Sequence, residues 1–441
     1  MKKLLITGGA RLSGTVRIHG AKNSVLPVLA ACCLCTSPCV LHNCPDIEDV
    51  RTALAILESL GCKTRREGST LCIDPSGLSR FRVEKRLAGK MRSSILFLGA
   101  LLARCGKAEL ALPGGCPLGE RPIDLHVKSL AKLGARFRFE KGILQAAWRE
   151  RRDGDIFLSI PSVGATENLL LACALGSGTV TLHGAAREPE ITDLIGFLRA
   201  AGADIRGAGS GDITIRGVKK LHGATYTILP DRIETATYLC MAAGCGGEVE
   251  LQRCDGRLLA PVIERLREAG CEINCDGSEI ALKSSGKLTA VSPVTTAPYP
   301  GFPTDAQAIL MAAVLRAKGE SVFQETVFER RFLHVPELQK LGADIVLSGK
   351  TARVRGVAHL HGAMLRAEDL RGAAALITAG LLADLRGAAA LLTASMMAEG
   401  ESELTGLCHL LRGYEKPEQN LKNLGAAIKS VDIPAPFVYN T

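Results

Sequence analysis

Aromatic residues are scarce in this chain: 4% of 441 residues, with a single tryptophan. That argues against a surface of ring platforms on which nucleic-acid bases stack. Long apolar runs are missing too. ILFLGALLA at 95–103 and the segment 373–383 both fall short of the ~18 residues of a membrane-spanning helix, and the second is cut by Asp384 and Arg386. No run of five or more Lys or Arg occurs, so a basic nucleic-acid tail is not indicated. The opening MKKLLITGGARL lacks the long apolar stretch and clear cleavage site of a secretory leader, so reduced thiols in the cytoplasm are the expectation. Sixteen Cys are present without a zinc-type ligand pattern, and nearly all are assigned to core packing, where a free thiol behaves as a small hydrophobe.

What is abundant is apolar and small. Apolar residues make up 47% and Gly alone counts 47, enough for large cores of closely apposed elements. The length predicts two or three domains. The net charge of +9 is modest and fits a small anionic substrate if the arginines converge.

One phrase recurs six times. A helix tail ending Leu-x-x-x-Gly-(Ala/Cys) is followed by polar-apolar alternation, with the glycine at positions 61, 134, 202, 270, 342 and 425. The intervals are 73, 68, 68, 72 and 83 residues. A fixed period marks one supersecondary unit used repeatedly. Each glycine sits where a helix end needs a left-handed residue, and the alternation after it reads as a strand.

Each unit also holds a second, more apolar helix. These helices read SVLPVLAACCL, SSILFLGALLA, NLLLACALG, TATYLCMAA, AILMAAVLRA and AALITAGLLA, apolar nearly all round and therefore buried. They open at Lys22-Asn23, Met91-Arg92-Ser93, Gly164 to Glu167, Asp231-Arg232, Asp305 and Asp369-Leu370-Arg371. Helix N-termini carry unpaired N–H groups that suit anions. The plainer reading makes Asp305 and Asp369 helix caps and leaves the basic residues in solvent.

The sharpest local string is PGGCPLGERPIDLH, 113–126. Its glycines and prolines make a shaped loop between a strand and a helix, with Cys116 at its centre and Arg121 and Asp124 following. A loop thiol near guanidinium groups is favoured as thiolate and can reach a substrate. An incidental cysteine in a cysteine-rich chain is the alternative.

That loop resembles the active-site loop of the UDP-N-acetylglucosamine enolpyruvyl (carboxyvinyl) transferases. So do GAKNSVLPVLAA (20–31), KMRSSILFLGALLAR (90–104), PSVGATENLLLA (161–172), AREPEI (186–191), LPDRIETATYL (229–239), YPGFPTDAQA (299–308), FERRF (328–332), EDLR (368–371) and RGYE (412–415). They stand in order from about residue 5 to 430. The shikimate-pathway enolpyruvyl transferase shares the six-unit fold but lacks the PGGC loop.

The resemblance implies an α/β fold: a two-domain inside-out α/β barrel of six repeated units, three to a domain. One domain would span about 22–229 and the other 1–21 with 230–441. It implies transfer of the enolpyruvyl group of phosphoenolpyruvate to the 3-hydroxyl of UDP-N-acetylglucosamine, the first committed step of peptidoglycan synthesis. Cys116 resembles the loop thiol that donates a proton and that fosfomycin alkylates. Asp305 resembles the carboxylate that serves as base. Lys22, Arg121 and Arg412 resemble the phosphoenolpyruvate clamp, which Arg371 or its copy Arg386 would join. Asn23, Arg92, Arg121, Pro122, Ile123, Asp124, Leu125, Ser162, Val163, Gly164 and Val327 resemble the nucleotide-sugar contacts. Arg331 and Asp231 match family motifs, but interdomain salt bridges explain them equally well. No metal or organic cofactor is implied, and neither a nucleic-acid partner nor membrane insertion.

The sequence departs from the family in one place. DLRGAAALITAGLLA at 369–383 is followed by DLRGAAALLTASMMA at 384–398. The surplus equals the excess in the last interval. Fifteen extra helical residues would add ~22 Å and rotate the helix by about 60° beyond whole turns. A buried helix cannot grow that far inside a packed unit. One copy is therefore expected outside it, with Arg371 favoured over Arg386 because the strand MLRAE precedes it directly. The alternative is a non-catalytic relative, disabled by the 369–398 duplication, that still binds the nucleotide sugar.

Overall fold

The computed structural model describes residues 2–114, 123–149, 151–384 and 400–432. All six phrase glycines have positive φ, from 84° at Gly425 to 106° at Gly61. At Gly61 the left-handed turn closes helix Glu48–Leu60, donating its N–H back to the carbonyl of Glu58. A side chain there would also strike the carbonyl of Gly77, 2.4 Å from the ideal Cβ. Each phrase feeds a strand: Lys63–Glu67, Arg136–Glu140, Asp204–Arg206, Glu272–Asp276, Asp344–Ser348 and Ala427–Asp432. These strands fall in six different sheets, five of four strands and one of three among the described residues.

The six apolar segments form helices Lys22–Cys32, Leu96–Cys105, Val163–Cys173, Arg232–Cys245, Thr304–Ala313 and Leu370–Leu382. The first three pack against one another, as do the last three. The approach of Leu96–Cys105 to Val163–Cys173 depends on Gly99, whose ideal Cβ would lie 2.3 Å from the carbonyl oxygen of Asn168. Asn168 pins this crossing by accepting from the Gly99 N–H at 2.7 Å and donating to the Ile95 carbonyl at 3.0 Å.

Two apolar cores result. One runs from Val25 to Ile228. The other joins Leu4 to Ile18 with Ala236 to Ile428. The N-terminal strands explain the discontinuity. Lys2–Thr7 lies between Glu401–Thr405 and Ala427–Asp432, antiparallel to both, and Leu12–Arg17 runs parallel to Gly247–Gln252.

The first duplicate, 369–383, forms the buried helix Leu370–Leu382, capped by Asp369, which accepts from the N–H groups of Arg371 and Gly372. The equivalent Asp384 has a different role: its carboxylate lies 2.9 Å from His359 and 3.3 Å from Arg316. The rest of the second copy, Arg386 included, lies outside the described residues. Gly400 leads into strand Glu401–Thr405.

Ten of the fifteen described cysteines are buried, three are half-buried, and Cys275 and Cys408 are exposed. Core packing therefore claims fewer of them than the sequence suggests. The sequence holds one C-x-x-C spacing, Cys32 to Cys35. Both residues are fully buried, and burial pushes the Cys32 thiol well above its ordinary range.

Candidate active site

The buried charged residues gather around the N-termini of the buried helices. Asp305 lies in the first turn of Thr304–Ala313, but the cap position is Pro303, so the carboxylate is not a cap. Its Oδ1 is 2.7 Å from Arg331 and its Oδ2 is 2.9 Å from Arg371. Burial by itself would raise its pKa. Arg371 and Arg331 outweigh that and hold it far below the carboxylate range. Both arginines are buried, whereas 27% of the Asp305 side chain stays exposed. Arg371 also donates to the Tyr414 hydroxyl at 3.1 Å and lies over its ring; that hydroxyl meets Thr237 at 2.8 Å. Arg331 donates to the Thr304 carbonyl, and its Nη1 is 4.0 Å from Asp369. Arg331 thus belongs to the Asp305 network rather than to a bridge between the cores.

A second cluster joins the two cores. Lys22 opens its helix, and its Nζ is 2.7 Å from Asp49. Arg412, from the far end of the chain, meets the same carboxylate through Nε at 2.9 Å. The Lys22 N–H donates to Asp231 at 3.2 Å, while Asp231 also caps Arg232–Cys245. Tyr414, two residues beyond Arg412, links this cluster to Arg371.

A third group lies on the first core. His126 follows Asp124 and Leu125 on helix Asp124–Lys132, and its ring accepts from Asn168 at 2.8 Å. Burial first, and then the Arg92 charge, lowers its pKa to about 4, so the ring is neutral near pH 7. Its Cε1 would lie 3.3 Å from a Cβ at Gly164, which brings Arg92, Asp124 and Ser162–Gly164 to one place. Asn23 is exposed, and Val327 is 43% exposed beside Glu325, which accepts from the Thr304 hydroxyl. Cys116, Arg121 and Pro122 lie outside the described residues. Before them Gly114 is tied to the Ala88 carbonyl, and after them Ile123 leads into Asp124–Lys132.

Sequence reasoning missed several residues here. Asp49 shows only as an acidic residue in a first helical turn. Glu190 pairs with the buried Arg232 at 2.9 and 3.3 Å. Glu188 accepts from the Tyr299 N–H, and burial raises its pKa. Glu167 is held well above the carboxylate range by burial, with Glu190 and Glu188 adding to it. AREPEI was the only signal for two of these. Among the described residues no group of three or more His, Cys, Asp or Glu could hold a metal ion, and no helix is long and apolar enough to cross a membrane.

Arginines and one carboxylate gathered at a partly open point are suited to contact with an anion. The chain matches the family model for EPSP synthase (3-phosphoshikimate 1-carboxyvinyltransferase) over residues 6–421, and it belongs to that carboxyvinyltransferase family. It is 46% identical to a UDP-N-acetylglucosamine 1-carboxyvinyltransferase of Gloeobacter violaceus over 97% of this chain and 90% of that one. It is 44% identical to a second enzyme of that name from Caldanaerobacter subterraneus, over 97% and 99% of the two chains. Among solved structures, the enolpyruvyl transferase NikO from Streptomyces tendae is 28% identical with a TM-score of 0.86, covering 98% of this chain and 99% of its own. EPSP synthase from Acinetobacter baumannii, 17% identical with a TM-score of 0.74 over 98% and 100% of the chains, shares the fold. The architecture is thus the α/β enolpyruvyl transferase fold.

Proposed function

We propose that this protein transfers the enolpyruvyl group of phosphoenolpyruvate to the 3-hydroxyl of UDP-N-acetylglucosamine and releases phosphate. The observation that carries this reading is the near full-length identity of 42–46% to relatives named for that reaction. The PGGC loop favours the same acceptor over 3-phosphoshikimate. The two cores are read as two domains, 22–229 and 1–21 with 230–441, each of three units in an inside-out barrel. The six phrases, six sheets and two helix trios support that reading.

The reaction is addition followed by elimination. The sugar hydroxyl adds to C2 of phosphoenolpyruvate as C3 gains a proton, giving a tetrahedral ketal. The bond to the phosphate oxygen then breaks and C3 loses a proton. Cys116 is assigned the proton delivery to C3, and Asp305 the proton of the hydroxyl. Lys22, Arg121 and Arg412 clamp the phosphoenolpyruvate anion, with Arg371 beside them rather than Arg386. Arginine suits planar, bidentate contact with carboxylate and phosphate. Asn23, Arg92, Pro122 to Leu125, Ser162 to Gly164 and Val327 are assigned to the nucleotide sugar.

Asp305 is a weak base while two guanidiniums hold it. A substrate anion that competes for Arg371 would restore its basicity, tying base action to phosphoenolpyruvate binding. With that product and acceptor, the reading assigns the enzyme to peptidoglycan synthesis in the cytoplasm and makes fosfomycin its expected inhibitor. Phosphate release from phosphoenolpyruvate, measured with and without UDP-N-acetylglucosamine, tests the reading.

A further inference from the structure

Asp49 is one of the points at which the two cores meet electrostatically, the buried Glu190–Arg232 pair being another. It lies in the first turn of helix Glu48–Leu60, where the helix end favours a carboxylate. One oxygen takes Lys22 at 2.7 Å and the other takes Arg412 at 2.9 Å. Only 5% of the Asp49 side chain is exposed, so these contacts are little screened by salt. Lys22 rides on a helix of the first core, and Arg412 follows Leu407 and Leu410 of the second. Neighbouring contacts run across the same seam. The Asp46 N–H donates to Glu415 at 2.8 Å, and the Glu48 N–H donates to the Leu411 carbonyl at 3.2 Å.

We propose that Asp49 is a positioning residue of the anion clamp, holding Lys22 and Arg412 at one point so that phosphoenolpyruvate meets a preformed two-cation site. The inference rests on the clamp assigned above. Two cations on separate cores repel each other, and each has many rotamers to lose. A shared buried carboxylate neutralises the repulsion and fixes both side chains. Asp49 itself touches no reacting atom, so its effect falls on the binding of one substrate rather than on the chemical step.

The test is steady-state phosphate release by the full chain, varying each substrate in turn, for wild type, Asp49→Asn, Asp49→Glu and Arg412→Ala. Asp49→Asn is expected to raise KM for phosphoenolpyruvate about tenfold or more. Its KM for UDP-N-acetylglucosamine should stay within about twofold, and kcat should fall by less than that KM rises. Asp49→Glu keeps the charge and shifts it by one methylene. It should show the same selective rise at about threefold, and it serves alone if Asn gives no folded protein. An unchanged phosphoenolpyruvate KM, with kcat and melting temperature reduced, would make Asp49 a structural residue and overturn the proposal. A lowered KM would make it a competitor of the substrate and overturn it as well. If Arg412→Ala leaves that KM unchanged in an active enzyme, the clamp assignment itself fails. If Arg412→Ala raises it and Asp49→Asn does not, only the role of Asp49 fails.

Discussion

Removing the Arg371 guanidinium should separate the two copies of the duplicated segment. In Arg371→Ala, Asp305 loses its 2.9 Å partner and Tyr414 loses a 3.1 Å donor, while Arg331 still holds Asp305 at 2.7 Å. Breaking a buried ion pair costs about 3–5 kcal/mol. With 27% of the Asp305 side chain exposed and a second arginine in place, about 2–3 kcal/mol is the better figure. For a folding unit of roughly 200 residues that lowers the melting temperature by about 5–10 °C. Loss of a cation facing developing negative charge should cut kcat/KM by about 10²–10³-fold. Arg386→Ala should leave both quantities near wild type, because the first copy already supplies the helix, its cap and the Asp305 contact. Deleting 384–398 should then preserve activity and restore an interval of 68 between the last two phrases. Phosphate release and differential scanning fluorimetry on the three variants decide the matter. Equal effects of the two arginine changes, or loss of activity on deletion, would refute the assignment of the site to the first copy.

Asp305→Asn should retain nucleotide-sugar binding by calorimetry yet lose about 10²–10⁴-fold in turnover, the usual worth of a general base; near-normal turnover would leave the carboxylate a structural partner of the two arginines. Alkylation should inactivate the enzyme only through Cys116, although the exposed Cys275 and Cys408 will also be modified; mass mapping of the adduct that tracks inactivation checks this, and fosfomycin should mark the same residue. Two buried histidines should weaken the fold in mild acid, against the opposite pull of the buried Glu167 and Glu188. Burial lowers both His126 and His334 from the ordinary 6.5 to about 4. Between those values the unfolded chain takes up protons that the folded one refuses, so the histidines' contribution to stability is complete above pH 6.5 and falls as pH drops toward 4. Each histidine accounts for at most about 3 kcal/mol, and His126→Gln should flatten the pH dependence of urea unfolding over that window.

The repeat was legible because its signals are local. A glycine that must take positive φ, followed by alternation, marks a helix end and a strand without knowledge of any partner, and Gly61 to Gly425 all conform. The buried helices announced themselves in the same way, beginning within about two residues of the turns read from sequence except at 92–96, where a short 3-10 turn intervenes. Pairing left no such trace. Asp49 meets Arg412 across 363 residues, and Glu190 meets Arg232 across 42. An acidic residue in a first helical turn looks the same whether it complements the helix dipole or gathers two distant cations. Sequence could not choose between cap and site for Asp305. The structure removes the cap reading, because Pro303 holds the cap position and the carboxylate faces Arg331 and Arg371. Asp369 went the other way and is a cap.

The most direct measurement is phosphate release from phosphoenolpyruvate by the full chain, with UDP-N-acetylglucosamine or 3-phosphoshikimate as acceptor. The account predicts release that depends on UDP-N-acetylglucosamine and yields its enolpyruvyl ether. Release only with 3-phosphoshikimate, or nucleotide-sugar binding without any release, would contradict it.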